Sequence, residues 1–332
     1  MTGVQTCALP IFPLARVEQL RPPARPGEVY RLAVRVAPHM RVESPRAEVM
    51  FGAVSGEFLG SRELDVLGLS RPYVLRTLYE FHRNILLGPF GANLVGIAGF
   101  LLLLSALSGF LISMPRSRSG WKRLVGVKLR AGLLRALFDV HRSGGALTCV
   151  LLILVASTGL TLVYLNYVRD FVDTFSPVKS FPTVPWRETP VENWPSFEQV
   201  EARVASAYPG LGIAEIHLPS RSTAGYLFYL RGSSDVHRLG DTIVWVHSAS
   251  GEILFERSPE TRTRGEAVIH WLYPLHRGSA FGDAGRLIMC LAGIAPLLLV
   301  LTGLWVWSRK RRAENFETER REKMRSMRLV RQ

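Results

Sequence analysis

The sequence predicts an α-helical membrane protein that carries small α+β domains outside the membrane. Three observations support this prediction: three long apolar stretches, strand-like segments between them, and basic segments at their ends. The apolar stretches are residues 91–114, 144–167 and 287–307. At a rise of about 1.5 Å per residue, each is long enough for a helix to cross a hydrocarbon core of about 30 Å.

Basic segments at the ends of these stretches set their expected orientation. Residues 116–135 contain seven Lys or Arg and no acid, and the tail at 309–332 opens with Arg-Lys-Arg-Arg. Both segments are expected in the cytoplasm, where the positive loops of membrane proteins are retained. Three spans would then place segment 12–78 outside the membrane, so we expect a further helix upstream and four spans in the intact protein.

The net charge of +14 and the isoelectric point near 10.3 are also typical of nucleic-acid-binding proteins. Here, however, the basic residues cluster just beyond the apolar stretches, where orientation and anionic lipid account for them. We therefore expect membrane lipid as a partner and no nucleic acid. Cys149 and Cys290 lie within the apolar stretches and are expected to be small packing residues.

Segments 12–78 and 170–265 are predicted to form two extramembrane domains, of which the first is a remnant. In the first, residues 29–36 alternate apolar and polar side chains, and residues 48–59 form two strands around a Ser55-Gly56 turn. In the second, Ser196 caps a helix that Pro209-Gly210 ends, and strands follow at 213–218, 226–231, 242–247 and 253–255. This order predicts an α+β unit. Residues 1–11 resemble the translation of a common sequencing-adapter oligonucleotide, and we exclude them.

The two halves of the chain repeat one plan. Ser55-Gly56-Glu57 matches Ser250-Gly251-Glu252, and a histidine follows 27 residues after Ser55 (His82) and 26 residues after Ser250 (His276). A glycine follows each histidine after a further 27 residues, Gly109 after His82 and Gly303 after His276. Each glycine belongs to a small-residue pair near the end of an apolar stretch, Ser108-Gly109 or Thr302-Gly303. Agreement of the spacings indicates an internal duplication.

A His-Arg pair precedes each apolar stretch: His82-Arg83, His141-Arg142 and His276-Arg277. An ionisable residue at the edge of a span predicts a functional site, and histidine is a common axial ligand of haem iron. We expect transmembrane helices at 79–115, 141–169 and 266–308, with a basic cytoplasmic loop at 116–140. His82 and His276 would lie at the outer face and His141 at the inner face. His270 is an alternative ligand, although Pro274 is expected to interrupt any helix between it and His276.

This pattern resembles the PepSY-associated transmembrane family, which includes membrane-bound ferric-siderophore reductases. The resemblance covers residues 48–312. The matching elements are Leu275-His276-Arg277-Gly278, Thr302-Gly303-Leu304-Trp305, Val140-His141-Arg142, Thr158-Gly159 and the two Ser-Gly-Glu hairpins. The resemblance implies four core helices that hold haem b, of which this chain lacks the first. It also implies two haems in the intact protein and axial iron ligands at His82, His141 and His276. It also implies PepSY-like domains on the periplasmic side of the bacterial inner membrane.

Arg83, Arg142 and Arg277 each follow a candidate ligand, where they are candidates to pair with haem propionates. Snorkelling of the long side chain to the membrane interface is the alternative role for each arginine.

The resulting hypothesis is an inner-membrane oxidoreductase that passes electrons to a periplasmic acceptor such as a ferric siderophore. Quinol or a cytoplasmic reductase is the expected donor, since the sequence contains no recognisable flavin- or nicotinamide-binding motif. Two alternatives stay open: a non-redox PepSY module that restrains a peptidase, and a transport accessory whose spans pack against another subunit. Both alternatives predict a protein without haem.

Overall fold

The computed structural model describes residues 15–36, 46–115, 117–128, 132–182, 194–220 and 223–330. Contacts divide the chain into two units. The first joins Met1–Gly91 with Asn166–His270 and holds a β-sheet, and the second joins Ala92–Leu165 with Trp271–Gln332 and holds most of the apolar helices. The adapter-like residues 1–11 lie outside the described residues.

One antiparallel sheet of eight strands, in the order β4-β3-β2-β1-β5-β6-β7-β8, forms the centre of the first unit. The strands predicted from hydrophobic alternation are confirmed, whereas β1 was not predicted. The strands are β1 (Arg16–Arg21), β2 (Val29–Arg35), β3 (Arg46–Gly52), β4 (Phe58–Glu63), β5 (Gly212–His217), β6 (Gly225–Arg231), β7 (Thr242–His247) and β8 (Ile253–Arg257).

Most of the long apolar helices belong to the second unit, and eight α-helices occur in the described residues. They are α1 (Val74–Asn84), α2 (Gly88–Ser113), α3 (Arg118–Val125), α4 (Leu133–Val163), α5 (Leu165–Asp173), α6 (Phe197–Ala207), α7 (Arg264–Arg277) and α8 (Gly282–Val330). Among the described residues, three segments are long and apolar enough to cross a membrane: Gly88–Ser113, Leu133–Val163 and Ser279–Arg321. They correspond to the three predicted spans, although the first two end at Ser113 and Val163, earlier than the predicted 114 and 167.

The two halves of the sheet meet where β1 pairs with β5, with Leu20 opposite Ile216. Next to this pair, the guanidinium of Arg21 on β1 donates to the buried carboxylate of Glu215 on β5. The strands of segments 12–78 and 170–265 therefore form one sheet, where the sequence analysis expected two separate domains. The reason is physical: β1 and β5 would otherwise each expose an edge of unsatisfied backbone groups.

The β3–β4 and β7–β8 hairpins share one backbone geometry. Gly56 and Gly251 both have φ of +66°, a left-handed conformation that glycine adopts without a steric penalty. The N–H of each glycine donates to the carbonyl four residues earlier, at 3.0 Å for Gly56 and 2.9 Å for Gly251. The hydroxyl of Ser55 or Ser250 accepts from the following glutamate N–H. The predicted Ser-Gly turns are confirmed, and their identity supports the internal repeat.

Alternation along the strands gives the sheet one apolar face, which forms the core. On β2, Leu32 and Val34 are buried, and their neighbours Arg31 and Ala33 point to the opposite face. Helix α6 covers the core with Val200 and Val204. This helix begins as predicted at Ser196, whose hydroxyl accepts from the N–H of Gln199 while the Gln199 side chain accepts from the Ser196 N–H.

Each outer histidine lies at the end of a short helix of its own. His82 is in the last turn of α1 and His276 in the last turn of α7, so segments 79–115 and 266–308 each contain two helices. A tight break separates them: a Cβ on Gly91 would lie 1.7 Å from the Asn84 carbonyl oxygen, and one on Gly285 would lie 2.2 Å from that of Gly278. These matching breaks again reflect the repeat.

Pro274 lies inside α7 and does not interrupt it, contrary to the expectation from the sequence. A proline has no N–H to donate to the carbonyl four residues earlier, here that of His270. The imidazole of His237 supplies the missing donor, with Nε2 at 3.0 Å from the His270 oxygen. Helix α4 likewise extends further than expected: it begins at Leu133, so His141 lies two turns inside it.

Candidate functional site

The histidines of the second unit contact Thr-Gly pairs on facing helices. His276, at the end of α7, places Nδ1 3.1 Å from the hydroxyl of Thr158 near the end of α4. His141, on α4, places Nδ1 3.1 Å from the hydroxyl of Thr302 on α8. These contacts require α4 and the apolar part of α8 to run antiparallel, so the two histidine positions lie at opposite ends of the same helix pair.

Hydrogen bonding determines the tautomer of both imidazoles. The hydroxyl of Thr302 donates to the Leu298 carbonyl at 2.7 Å, and that of Thr158 donates to the Leu154 carbonyl at 2.6 Å. Each hydroxyl oxygen must therefore accept from the histidine, and Nδ1 carries the proton. The carbonyl of Val155, 3.1 Å from Nδ1 of His276, supports the same assignment because it can only accept. In the neutral imidazole the lone pair then lies on Nε2, the nitrogen that can bind a metal.

A glycine beside each threonine leaves space for the imidazole ring. A Cβ on Gly159 would lie 2.9 Å from Cε1 of His276, and one on Gly303 would lie 3.0 Å from Cε1 of His141. Such contacts are closer than ordinary van der Waals separation, so any larger residue would displace the ring. Gly109, which matches Gly303 in the repeat, has open space at its Cβ position.

Arg142 is held by a buried acid next to His141. Its guanidinium lies 3.2 Å from the carboxylate of Asp139 and donates to the Gly126 carbonyl at 3.0 Å. Asp139 is fully buried and also pairs with Arg135, at 3.2 Å. This cluster fixes the turn of α4 that carries His141. Asp139 was not singled out in the sequence, although Arg135 and Arg142 lie one helical turn before and after it, a spacing that predicts ion pairs on a helix.

Arg83 and Arg277 lie beside aromatic rings of their own helices. Arg83 forms an ion pair with Glu80 at 3.0 Å and lies 5.7 Å from the Tyr79 ring centroid, and Arg277 lies 6.0 Å from that of Tyr273. His82 is exposed on the last turn of α1. The propionate role of the three arginines and the ligand role of His82 stay predictions.

His270, the alternative ligand, belongs to a polar cluster of the first unit. Its Nε2 lies 3.3 Å from Oδ1 of Asp241, and its ring lies beside that of His237, with centroids 4.2 Å apart. Burial raises the pKa of Asp241, but hydrogen bonds from His270 and from the backbone lower it more, to about 2. One ligand atom from each of these residues lies within 4.8 Å of the others, close enough to hold a metal ion. The cluster also has an explanation without a metal, because its hydrogen bonds support α7.

Comparison with protein families bears on the whole arrangement. The model of the PepSY-associated TM region matches residues 10–310. The chain belongs to this family. No curated protein matches the chain. Membership in the PepSY-associated family, together with the three long apolar helices, identifies a multi-pass membrane protein.

Proposed function

We propose that this PepSY-associated protein holds haem b and transfers electrons across the bacterial inner membrane to a periplasmic acceptor. One observation carries the proposal: at opposite ends of the α4–α8 pair, a histidine has its Nδ1 proton bound by a threonine and its ring beside a glycine. A metal-binding histidine typically donates its other ring N–H to a protein acceptor in this way. His141 and His276 are the proposed axial ligands, and His82 is a third, on the strength of the repeat.

The residues present fit the chemistry of haem b. Each neutral imidazole with an Nε2 lone pair matches one axial ligand of a low-spin haem, His276 in an outer haem and His141 in an inner one, and the adjacent glycines provide space close to each ligand. The bound haem would supply a one-electron Fe(III)/Fe(II) couple. Thr158 and Thr302 would fix the plane of each imidazole and strengthen its basicity through the Nδ1 hydrogen bond.

The separation of the two positions suits transfer across the membrane. Thr158, which contacts His276, follows His141 by 17 residues on the continuous helix α4. At about 1.5 Å per residue this corresponds to about 25 Å along the helix axis, close to the thickness of the hydrocarbon core. The apolar side chains of α2, α4 and α8 would exclude water from the path between these positions.

A ferric siderophore is the proposed acceptor. One electron added to its iron converts Fe(III) to Fe(II), and no covalent bond of the chelator needs to break. Fe(II) is the softer and less charged ion, so hard oxygen ligands hold it less tightly and release it. The electron would come from quinol or from a cytoplasmic reductase.

Proteoliposomes made with the full chain provide the test. Dithionite is trapped inside, a ferric siderophore is added outside, and a dye specific for Fe(II) reports reduction. We expect reduction by the wild type and at least a roughly tenfold slower rate for His276→Ala and for His141→Ala, as is typical when a metal site is lost. The control Thr148→Val, which changes a residue of α4 whose hydroxyl bonds to the Gly144 carbonyl of the same helix, should retain the wild-type rate. If the protein is purified without haem and the His variants have the same rate as the wild type, the non-redox module is supported instead.

A further inference from the structure

The polar face of the first half of the sheet, together with α1, lines a cleft of about 680 Å³. This volume is in the range of small-molecule sites. Seven arginines line it, and we call it the arginine cleft. Four of them come from the strands, one from the segment before α1, one from α1 itself and one from the segment between β6 and β7: Arg21, Arg31, Arg46, Arg62, Arg71, Arg76 and Arg238.

Nearby acids offset only part of this positive charge. Arg21 pairs with Glu215, Arg46 with Asp65, and Arg62 with Glu48 at 2.7 Å. Arg76 is shared by Asp65 at 3.7 Å and Glu80 at 3.8 Å. Among the described residues, only two acids line the cleft itself, Glu48 and Glu63, against seven arginines.

Two arginines of the cleft have no ion-pair or hydrogen-bond partner among the described residues, Arg31 and Arg71. Arg31 lies directly opposite Arg21 in the β1–β2 ladder, an arrangement of like charges that destabilises a sheet. In addition, Nε of Arg76 is buried without a hydrogen-bond partner in the described part of the chain. A bound anion would accept hydrogen bonds from these donors and would offset the repulsion between Arg21 and Arg31.

The cleft lies next to a proposed haem ligand. Leu75, Arg76 and Tyr79 of α1 line the cleft, and His82 follows Tyr79 by three residues on the same helix. Residues three apart lie on one side of a helix, about 4.5 Å apart along its axis. A molecule in the cleft would therefore lie about one helical turn from the position of His82.

We propose that the arginine cleft binds the electron acceptor, and that it selects ferric chelates with a net negative charge, of the carboxylate or catecholate type. The electron-transfer part rests on the proposed function, whereas anion binding does not. Guanidinium groups match the paired oxygens of such chelators through two parallel hydrogen bonds. Reduction adds one electron to the iron and makes the chelate more negative by one charge. The positive cleft stabilises that product, so it also raises the reduction potential of the acceptor.

Binding of chelates to the purified full chain tests this selectivity. The probes are ferric citrate, which is anionic, and ferrioxamine B, which is cationic, and affinity is measured by calorimetry at low salt. We expect ferric citrate to bind more tightly, and the double variant Arg31→Gln/Arg71→Gln to weaken its binding about tenfold or more, since charge-assisted hydrogen bonds are lost. Neither arginine holds an ion pair in the described structure, so folding should be retained. Arg231→Gln, an exposed change on β6, is the control.

Each outcome separates this inference from the proposed function. Equal affinity for the two chelates, or wild-type affinity of the double variant, would overturn the inference even if haem is bound. Ferric citrate binding that depends on Arg31 and Arg71 in haem-free protein would support the cleft and contradict the proposed function. Nanodiscs test the other source of oxyanions, the lipid headgroup: if phosphatidylglycerol abolishes citrate binding and phosphatidylcholine does not, the cleft is a lipid site and the inference is wrong.

Discussion

At the scale of single residues, a threonine and a glycine orient each proposed ligand. The sequence predicted His141 and His276 and also singled out the Thr158-Gly159 and Thr302-Gly303 pairs, but it gave these pairs no role. Their role was hidden because each histidine contacts the pair on a different helix: His141 meets Thr302 and His276 meets Thr158. Spacing along the chain identifies candidates, whereas partners across two helices depend on tertiary packing.

Replacement of Thr158 by valine tests this orientation. Valine keeps the shape of threonine but cannot accept the Nδ1 proton of His276, so the imidazole loses a hydrogen-bond partner. We expect haem affinity to fall about tenfold or more, or the midpoint potential of one haem to shift, as for other outer-shell changes. Redox titration and haem content measure the two effects. Thr148→Val is the matched control, because the Thr148 hydroxyl bonds only to its own helix, at the Gly144 carbonyl. Equal behaviour of the two variants would contradict the orienting role.

Replacement of Gly303 by alanine tests the space beside His141. The added Cβ would lie 3.0 Å from the imidazole, so the ring must move. We expect Gly303→Ala to lower haem content and leave membrane insertion intact. Gly144→Ala, on the same helix as His141 but with open space at its Cβ position, should keep the wild-type content. The measurement is haem per chain after purification.

At the scale of elements, the sequence was most informative where local patterning decides the structure. Hydrophobic alternation located β2 to β8, and Ser196 located the start of α6. Strand β1 was not predicted, because its alternation is interrupted by a bulge between Val17 and Gln19. The separation of α1 from α2 was also not predicted. It depends on left-handed Ile85 and Leu86, residues with no intrinsic preference for that conformation.

The two hairpins provide a stability test at this scale. Gly251→Ala places a Cβ at φ of +66°, which costs about 1–2 kcal/mol in the free energy of unfolding. Gly56→Ala should have a similar effect, and Gly251→Ala the larger one, since its Cβ would also lie 3.3 Å from Arg203 and Pro195. Thermal unfolding of the purified chain measures both. Gly212→Ala, at a glycine without positive φ, is the control, and an equal loss in all three variants would contradict the shared geometry.

At the scale of the whole molecule, the strands of the two repeats join in one sheet through the β1–β5 pair. The sequence analysis expected two domains, because nothing local to β1 or β5 indicates that they pair with each other. The junction depends on Glu215, a buried acid held by Arg21 of the other half and by His217 at 2.6 Å. Burial raises the pKa of Glu215, but hydrogen bonds from His217 and Arg21 lower it more, so it lies below the ordinary value of 4.5.

This junction gives the unfolding free energy a defined pH dependence. A lowered pKa in the folded state stabilises the protein at pH above 4.5, and the stabilisation is lost as the pH falls through the folded pKa. Glu215→Gln should therefore lower stability by about 1–3 kcal/mol at pH 7, because Arg21 and His217 lose their charged partner. The difference from the wild type should shrink towards acidic pH. Chemical unfolding at pH 7 and at pH 4 measures it, and a difference that grows at pH 4 would contradict the assignment.

The central claim is that His141 and His276 bind haem, and an absorption difference spectrum tests it most directly. The full chain is expressed with haem available and purified in detergent, and the oxidised spectrum is subtracted from the dithionite-reduced one. The account predicts sharp bands of low-spin b-type haem for the wild type and their loss in His141→Ala/His276→Ala. A flat difference spectrum for the wild type, or unchanged bands in the double variant, would contradict it.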